Sequence, residues 1–234
     1  MSAKSRRTSN TNVRDFHNFF QAWLVRQENY REQLRTTLHT CNTVSDEETR
    51  ELIARVLAHY QQYYEEKSRI ANHDVSLVFS PPWFSRFEQS FFWIAGFKPG
   101  LAFRLVARAV DEMSVNQQEQ MERLRTEVKE EERKLENDLA RVQESVAAPA
   151  IVEITRGGDR RLHDGMYDEM TSAVEILSRE MEGVVANADM LRTRTAERVV
   201  EILTPVQSLK FLAAATELQM KIREWGRGVD GESR

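Results

Sequence analysis

Residues that break helices are scarce in this chain. It holds nine glycines and five prolines among 234 residues, about half of the roughly 12% that ordinary globular proteins contain. Since glycine and proline terminate helices and form turns, so few of them predict long helices. No segment shows the alternation of apolar and polar residues that is typical of a half-buried strand. The sequence therefore predicts an all-α protein.

The chain is long enough to bury a substantial core. Its 234 residues suit one large domain or two small ones, and 41% of them are hydrophobic. Of its four Trp, five Tyr and eleven Phe, 17 precede residue 104. We therefore expect the bulky part of the core to come from the N-terminal half.

The first part of the chain predicts two helices. Apolar residues recur at helical spacing from Asn12 to near Cys41, which defines the first helix. Ser45 is followed three residues later by Glu48, and this pair is a capping box that satisfies free backbone N–H groups at a helix start. The second helix is expected to begin there.

Two prolines indicate the start of the next helix. A proline in the first turn loses no intrahelical hydrogen bond, and Ser80 can cap the turn that Pro81–Pro82 opens. The aromatic residues that follow predict a third helix as far as Ile94. Gly96 interrupts this pattern and is expected to give a left-handed turn. A short fourth helix is predicted over residues 101–110.

The second half of the chain predicts three long helices. Ser114 and the residue three further on form another capping box. The next 30 residues carry one narrow apolar stripe, which favours a helix packed in its own bundle over a free coiled coil. After a break the helical pattern resumes as far as Ile202, and Thr204–Pro205 cap a last helix that Gly226 and Gly228 close.

These elements predict one helical domain, a bundle of about six to seven helices of which some are long and antiparallel. The domain is expected to span residues 13–226, with a loop near 147–165 where the periodicity fails. Residues 1–12 are expected to form a disordered N-terminal tail, and residues 227–234 a C-terminal tail. No apolar run is long enough to cross a bilayer, so no membrane role is expected.

Charge and motifs exclude several classes of function. The 33 Lys plus Arg against 37 Asp plus Glu leave a net charge of −4, which argues against holding nucleic acid along a basic face. The sequence contains no dinucleotide-binding glycine motif, no P-loop, no His-Glu-x-x-His and no nucleophile elbow. We therefore predict no enzymatic activity, no catalytic or metal-binding residues and no cofactor.

The five histidines are not spaced for a metal or haem site. None follows an acidic residue by three positions, and no two lie four apart. We interpret His59 as a structural or surface residue. A bundle that binds a small hydrophobic ligand or haem is a further, less favoured hypothesis.

One segment combines apolar and basic residues as calmodulin targets do. Its four apolar residues fall at relative positions 1, 5, 10 and 14, beside three basic residues. The same apolar residues also suit core packing, which is the interpretation that we favour. The candidate calmodulin-binding residues are Phe97, Lys98, Leu101, Arg104, Val106, Arg108 and Val110.

A set of motifs, found in the same order, resembles a known plant family. The string Ser-Phe-Phe-Trp-Ile-Ala-Gly-Phe-Lys-Pro at 90–99 is similar to the W-[IL]-G-G-F-[RK]-P signature of the delay-of-germination domain, also called the seed dormancy control domain of TGA-type bZIP transcription factors. Residues 23–27 resemble its W-L-x-x-Q, and 58–75 its A-H-Y…K…D-V block. Residues 188–192 resemble A-D-x-L-R, and 203–207 resemble L-T-P-x-Q.

The matching residues are expected to be mainly structural. They are Trp23, Leu24, Gln27, His59, Tyr60, Trp93, Gly96, Phe97, Pro99, Asp189, Leu191, Arg192, Leu203, Thr204, Pro205 and Gln207. Ala95 stands where the family has the first glycine of a pair, and we expect this change to be mild because alanine is favourable in helices. Asp189 and Arg192, three residues apart, can pair across one helical turn.

The resemblance implies an all-helical regulatory domain, which in TGA factors follows a basic region and zipper and receives co-regulators. Here only Lys4, Arg6 and Arg7 precede the first predicted helix, so we expect no direct DNA binding. The implied function is that of a non-enzymatic plant regulator that acts by protein contact in transcription regulation or hormone signalling, as in seed dormancy, abscisic acid and stress responses. We expect it in the nucleus, the cytoplasm or both.

The resemblance also suggests the class of partner. The expected partners are bZIP factors or their co-regulators. The alternative is a cytosolic adapter linked to calcium and calmodulin. Neither the residues nor the resemblance decides whether the chain forms a homodimer.

Overall fold

A computed structural model describes residues 3–40, 44–145 and 164–232 and shows an all-α fold there. The predicted class is confirmed. The described residues form eight helices rather than six to seven, because two of the helices are single turns. The helices are α1 (Ala3–His39), α2 (Asp46–Ala71), α3 (Ser76–Phe79), α4 (Arg86–Gln89), α5 (Leu101–Ala109), α6 (Val115–Ser145), α7 (Asp164–Ile202) and α8 (Pro205–Glu232). Cys41 and most of the predicted loop near 147–165 lie outside the described residues.

The caps confirm three of the predicted helix starts. The Ser45 hydroxyl accepts a hydrogen bond from the Glu48 N–H, and the Glu48 carboxylate accepts one from the Ser45 N–H at 3.0 Å. Ser114 makes the same reciprocal pair before α6, and Thr204 makes it before α8. Each pair satisfies two backbone N–H groups that a helix start leaves free.

An aromatic core joins α1 and α2 to the segment that follows them. The ring centroids of Phe16 and Trp83 lie 4.3 Å apart, and those of Phe20 and Phe84 lie 5.0 Å apart. Trp23 and Phe20 are fully buried. Burying a large apolar side chain contributes about 2 to 3 kcal/mol, so the aromatic N-terminal half supplies much of the core, as predicted.

The long helix α6 packs along α7, as its narrow apolar stripe predicts. The stripe is buried and consists of Met121, Leu124, Val128, Leu135 and Val142. The side chain of Glu132 is also buried, and its carboxylate accepts a hydrogen bond from the Gly100 N–H at 2.6 Å. Gly100 precedes α5, and a carboxylate at a helix N-terminus is electrostatically favourable. This contact ties α6 to α5.

The predicted third helix is wrong. Only Arg86–Gln89 is helical between Pro81 and Ile94, and its cap is Ser85, which forms a capping box with Glu88, rather than Ser80. The chain beyond α4 leaves helical geometry because the Ile94 carbonyl accepts a hydrogen bond from a side chain of α7. A distant partner has replaced the local hydrogen bonds that a helix requires.

Two helices extend beyond their predicted ends. α1 begins at Ala3, within the segment expected to be a tail, and α8 continues through Gly226 and Gly228 to Glu232. Gly226 permits close packing instead of ending the helix. A Cβ atom at this position would lie 2.1 Å from the Ser85 hydroxyl oxygen, whereas a Cβ at Gly228 would meet nothing within 4 Å.

These two glycines give a matched pair of substitutions. Gly226→Ala is expected to lower the free energy of unfolding by about 2 kcal/mol, because overpacking a close contact forces the backbone or Ser85 to shift. Gly228→Ala is expected to raise it by up to about 1 kcal/mol through better helix propensity. Urea unfolding measures both changes. A stabilising Gly226→Ala would contradict the packing role.

Candidate functional site

The first two motif blocks meet between α1 and α2. The Trp23 Nε1–H donates to the His59 carbonyl at 2.9 Å, and the two rings stack with centroids 4.4 Å apart. The Gln27 amide donates to the Tyr60 hydroxyl and to Gln219 of α8. Burial lowers the pKa of His59 to about 4, with Arg26 acting in the same direction. The ring is therefore neutral at pH 7 and packs against Trp23 between α1 and α2.

The most unusual feature of the interior is a buried cluster of three charged side chains. Lys67 of α2 donates to the Asp189 carboxylate of α7 at 2.8 Å, and Arg192 donates to the same oxygen at 2.5 Å. All three side chains are at least nine-tenths buried. The expected pairing of Asp189 with Arg192 is confirmed. Two cations share one carboxylate, so the cluster has a net positive charge when Lys67 is protonated.

Burial makes this charge arrangement costly. Desolvation lowers the pKa of Lys67 to about 8, with Asp189 opposing the shift and Arg192 adding to it. Burial also raises the pKa of the neighbouring Tyr64 and Tyr63 hydroxyls well above the usual value. A protonated Lys67 is therefore held mainly by Asp189.

Arg192 also determines the shape of the segment that carries the W-I-A-G-F-K-P motif. Its guanidinium donates to the carbonyls of Phe97 at 2.7 Å and Ile94 at 2.5 Å. A Cβ atom on Gly96 would lie 3.2 Å from the guanidinium carbon. Gly96 is thus needed for this close approach. The backbone polar groups of the segment are satisfied by a side chain that lies 95 residues further along the chain.

The left-handed turn in this segment lies one residue earlier than predicted. Ala95 has φ 50°, and no described glycine has a positive φ. The expectation that Gly96 provides the turn is wrong, and so is the expectation that Ala95 is helical. The Gly96 carbonyl accepts a hydrogen bond from the Trp93 N–H at 2.7 Å, which closes the turn tightly. A left-handed alanine costs roughly 1–2 kcal/mol, so this position is strained.

The far side of the same segment is fixed to α6. The Trp93 Nε1–H donates to the Glu136 carboxylate at 2.8 Å, and the Lys98 ammonium donates to the same carboxylate oxygen at 2.6 Å. The Lys98 nitrogen also lies 5.5 Å from the Trp93 ring centroid, and the Arg192 guanidinium lies 5.6 Å from it. Trp93 is therefore held between two cations and one carboxylate.

A mostly apolar cavity of ≈ 200 Å³ lies against this cluster. Its walls come from α2, the 92–105 segment, α7 and α8, and they include the aromatic residues Tyr64, Phe84, Phe92 and Phe97. The charged side chains on its wall are Lys67, Lys98, Arg192 and Glu197. Three of the four charged side chains on the cavity wall are thus cations, and two of them, Lys67 and Arg192, share the single carboxylate of Asp189.

The last motif block lies elsewhere, at the junction of α7 and α8. Leu203 is buried there, Thr204 caps α8 with Pro205 in its first turn, and Leu191 lies in the core further up α7. Gln207 accepts from Gln117 at 2.8 Å and donates to the Glu112 carbonyl at 2.6 Å. None of these residues lines the cavity. They join α6 to α8.

The candidate calmodulin segment does not form one accessible helix. Phe97 and Lys98 precede α5, whereas Leu101, Arg104, Val106 and Arg108 lie on it and Val110 follows it. Val106 is 1% exposed and Val110 is 7% exposed. Two of the four apolar anchors therefore belong to the core, and a calmodulin complex would require this part of the bundle to open.

Sequence reasoning missed several residues of the interior. Glu88 of α4 and Arg223 of α8 form a buried ion pair at 3.0 Å. Lys67 was visible only as the lysine of a motif, not as a member of a charged cluster. Its position is the one indication that it is buried, because a lysine three residues before Ile70 lies beside the buried face of α2. No local pattern indicates that it meets Asp189.

The described part of the chain shows neither a metal site nor a membrane span. Within those ranges, no three His, Cys, Asp or Glu side chains converge in a way that could hold a metal ion. No helix there offers an apolar stretch long enough to cross a bilayer.

The charge count of the cluster predicts unequal effects of two substitutions. Asp189→Asn leaves Lys67 and Arg192 as buried cations without a carboxylate, so we expect the free energy of unfolding to fall by about 3–5 kcal/mol. Lys67→Met leaves a neutral Asp189–Arg192 pair and is expected to change stability by less than about 1 kcal/mol. Urea unfolding at pH 7 measures both. Equal losses would show that the excess charge carries no cost.

The strain at Ala95 predicts that a glycine at this position does not lower the free energy of unfolding as a glycine in a helix usually does. Ala95→Gly relieves a left-handed alanine while removing one buried methyl group, so we expect unfolding free energy to stay within about 0.5 kcal/mol of the parent or to rise. Ala188→Gly, at a buried position inside α7, is expected to cost about 2 kcal/mol. Similar losses for both, in thermal or urea unfolding, would contradict the strain.

Comparison with known proteins places the chain in a family. The seed dormancy control model, DOG1, matches residues 31–108. The chain is 40% identical to Protein ZW2 of Arabidopsis thaliana over 90% of this chain and 96% of that protein. It is 35% identical to Protein RESPONSE TO ABA AND SALT 1 of the same plant, over 88% of this chain and 92% of that protein.

A transcription factor from the same plant matches over part of its length. Transcription factor TGA7 is 29% identical across 92% of this chain but only 56% of the factor. The resemblance drawn from the motifs is therefore confirmed at the level of the family. This chain belongs to the DOG1, or seed dormancy control, family.

Proposed function

We propose that the protein is a non-enzymatic plant regulator that acts by contact with other proteins in transcription regulation or hormone signalling. The names of the family and of its relatives support this role, since they refer to seed dormancy control, to a response to ABA and salt, and to a transcription factor. The biological settings are seed dormancy, abscisic acid signalling and stress responses. The protein acts in the nucleus, the cytoplasm or both.

The observation that carries the proposal is the partial overlap with the TGA factors. The chain is matched over 92% of its length by TGA7, yet it spans only 56% of that factor. It therefore corresponds to one portion of a larger regulator. With a net charge of −4 it is not suited to bind DNA by neutralising phosphates, so its link to DNA runs through bZIP factors or their co-regulators.

The use of the buried charges supports a non-enzymatic role. Lys67, Asp189 and Arg192 satisfy one another and two backbone carbonyls, and the Glu88–Arg223 pair connects α4 to α8. An enzyme needs acids, bases or nucleophiles that are free to meet a substrate. In this interior these groups hold helices together.

The test combines gel shifts with affinity capture. The purified protein alone is expected to give no sequence-specific shift on DNA, and the tagged protein is expected to retain bZIP factors or their co-regulators from plant nuclear extract. Mass spectrometry identifies what is retained. A tight, sequence-dependent shift by the protein alone would contradict indirect DNA recruitment, and retention of calmodulin without transcription regulators would favour the cytosolic adapter.

The cavity favours ligand binding as a second function. The buried cluster contains two cations and one carboxylate, so one further negative charge would balance it. The cavity beside it is mostly apolar. The ligand class that matches both properties is a small apolar molecule with one carboxylate. Such a ligand would stabilise the folded protein by mass action.

Thermal unfolding with matched ligands tests this second function. Decanoate is expected to raise the melting temperature more than decanol does, because only decanoate carries a charge that Lys67 and Arg192 attract. Lys67→Met is expected to remove this preference. Ala102→Trp adds bulk on the cavity wall and is expected to weaken the binding of both ligands. Equal shifts for the two ligands in the parent protein would contradict an anion-selective cavity.

A further inference from the structure

A groove lies between α2 and α7, next to the apolar cavity, and the two share the lining residues Gln61, Tyr64, Thr193 and Glu197. The groove has a volume of ≈ 330 Å³ and is mostly apolar. Its floor includes the buried residues Ala71 and Val185, while Met190 stands 61% exposed at its edge. An exposed methionine beside a surface groove is typical of adaptable binding surfaces for helices.

The charge of the groove has one sign. The ionisable side chains that line it are Glu65, Glu182, Glu197 and the buried Asp189, and no Lys or Arg lines it. Asp189 is already paired with Lys67 and Arg192. In the described part of the chain, none of the three glutamates takes part in an ion pair, although Glu65 accepts a hydrogen bond from Gln61.

Several other carboxylates of the same two helices form ion pairs. Glu66 pairs with Arg69 one turn away on α2. On α7, Glu175 pairs with Arg179 and Glu201 with Arg198. The three glutamates that flank the groove have no such partner among the described residues and are available to a cationic ligand. Unpaired acids around an apolar floor complement a cationic, amphipathic partner.

The shape of the groove suits a helix. On α7 its residues run from Glu182 to Glu197 and on α2 from Gln61 to Ala71, in each case along one face of the helix. The fifteen steps from Glu182 to Glu197 cover roughly 22 Å, about four helical turns. The small side chains of Ala186 and Ser68 let a third helix approach to the usual interaxial distance of roughly 8–10 Å.

We propose that the α2–α7 groove docks an amphipathic helix of a partner protein, with apolar residues against Met190 and Ala186 and with Lys or Arg residues beside Glu65, Glu182 and Glu197. This inference rests on the proposed function, because it names the surface and the chemistry of one protein contact. The adjoining cavity differs in its lining, because three of the four charged side chains on its wall are cations.

Fluorescence anisotropy with designed peptides tests the groove directly. The probe is a labelled 18-residue helical peptide with Leu and Ala on one face and Lys and Arg on the other. Its counterpart carries Glu in place of the basic residues. The full chain is expected to bind the basic peptide, to bind it more weakly as salt rises, and not to bind the acidic one.

Two variants and a control locate the binding. One variant is Glu182→Lys with Glu197→Lys, and the other is Ala186→Trp at an exposed position. Each is expected to weaken binding of the basic peptide by about tenfold or more. The control is Glu127→Lys with Glu130→Lys on the exposed face of α6, which changes the net charge equally and is expected to have little effect. Circular dichroism confirms that each variant is folded.

Several results would overturn the inference. They are no binding of the basic peptide, equal binding of the acidic peptide, or equal weakening by the α6 control, which would indicate diffuse attraction. Binding that Ala186→Trp does not affect would place the peptide elsewhere. If capture of bZIP factors or co-regulators from extract persists in the Ala186→Trp variant, the groove inference fails and the proposed function stands.

Discussion

The fold depends on one carboxylate that is shared by two buried cations. Asp189 of α7 accepts hydrogen bonds from Lys67 of α2 and from Arg192 one turn away, and all three side chains are removed from water. Asp189 connects α2 to α7, and the remaining donors of Arg192 determine the shape of the 94–97 segment. A buried cation is tolerated only when its counter-charge is in place, so both cations depend on Asp189.

The cluster also contributes side chains to two adjoining recesses of different character. Lys67 and Arg192 line the apolar cavity together with Lys98, whereas Asp189 lines the α2–α7 groove with its unpaired glutamates, of which Glu197 lies on the wall of both. A regulator that acts by contact needs surfaces with distinct chemistry on a rigid frame. The buried charges hold this frame together. Charged residues of the types that enzymes use in catalysis therefore have a structural role in this fold.

Local chemistry made much of this fold predictable, while long-range contacts limited the rest. Capping boxes identified helix starts because both partners lie within four residues, and the Asp189–Arg192 pair followed from helical spacing. The third helix and the turn at Gly96 were mispredicted because Arg192 takes carbonyls that lie 95 and 98 residues away in sequence. Gly226 looked like a helix end because its real neighbour, Ser85, is even more distant in the chain. The apolar stripe of α5 suited both calmodulin and the core, and only the packing distinguished the two.

The pH dependence of stability tests the central claim, that Lys67 is a buried cation in excess of its counter-charge. Because burial lowers the pKa of Lys67 from 10.5 to about 8, the unfolded chain binds more protons at this residue than the folded one between these two values, and stability there must rise with pH. Urea unfolding of the parent and of Lys67→Met from pH 7 to pH 10 measures this effect. The account predicts that the parent gains on the order of 2 kcal/mol relative to the variant across that range. A difference between the two proteins that does not change with pH would contradict it.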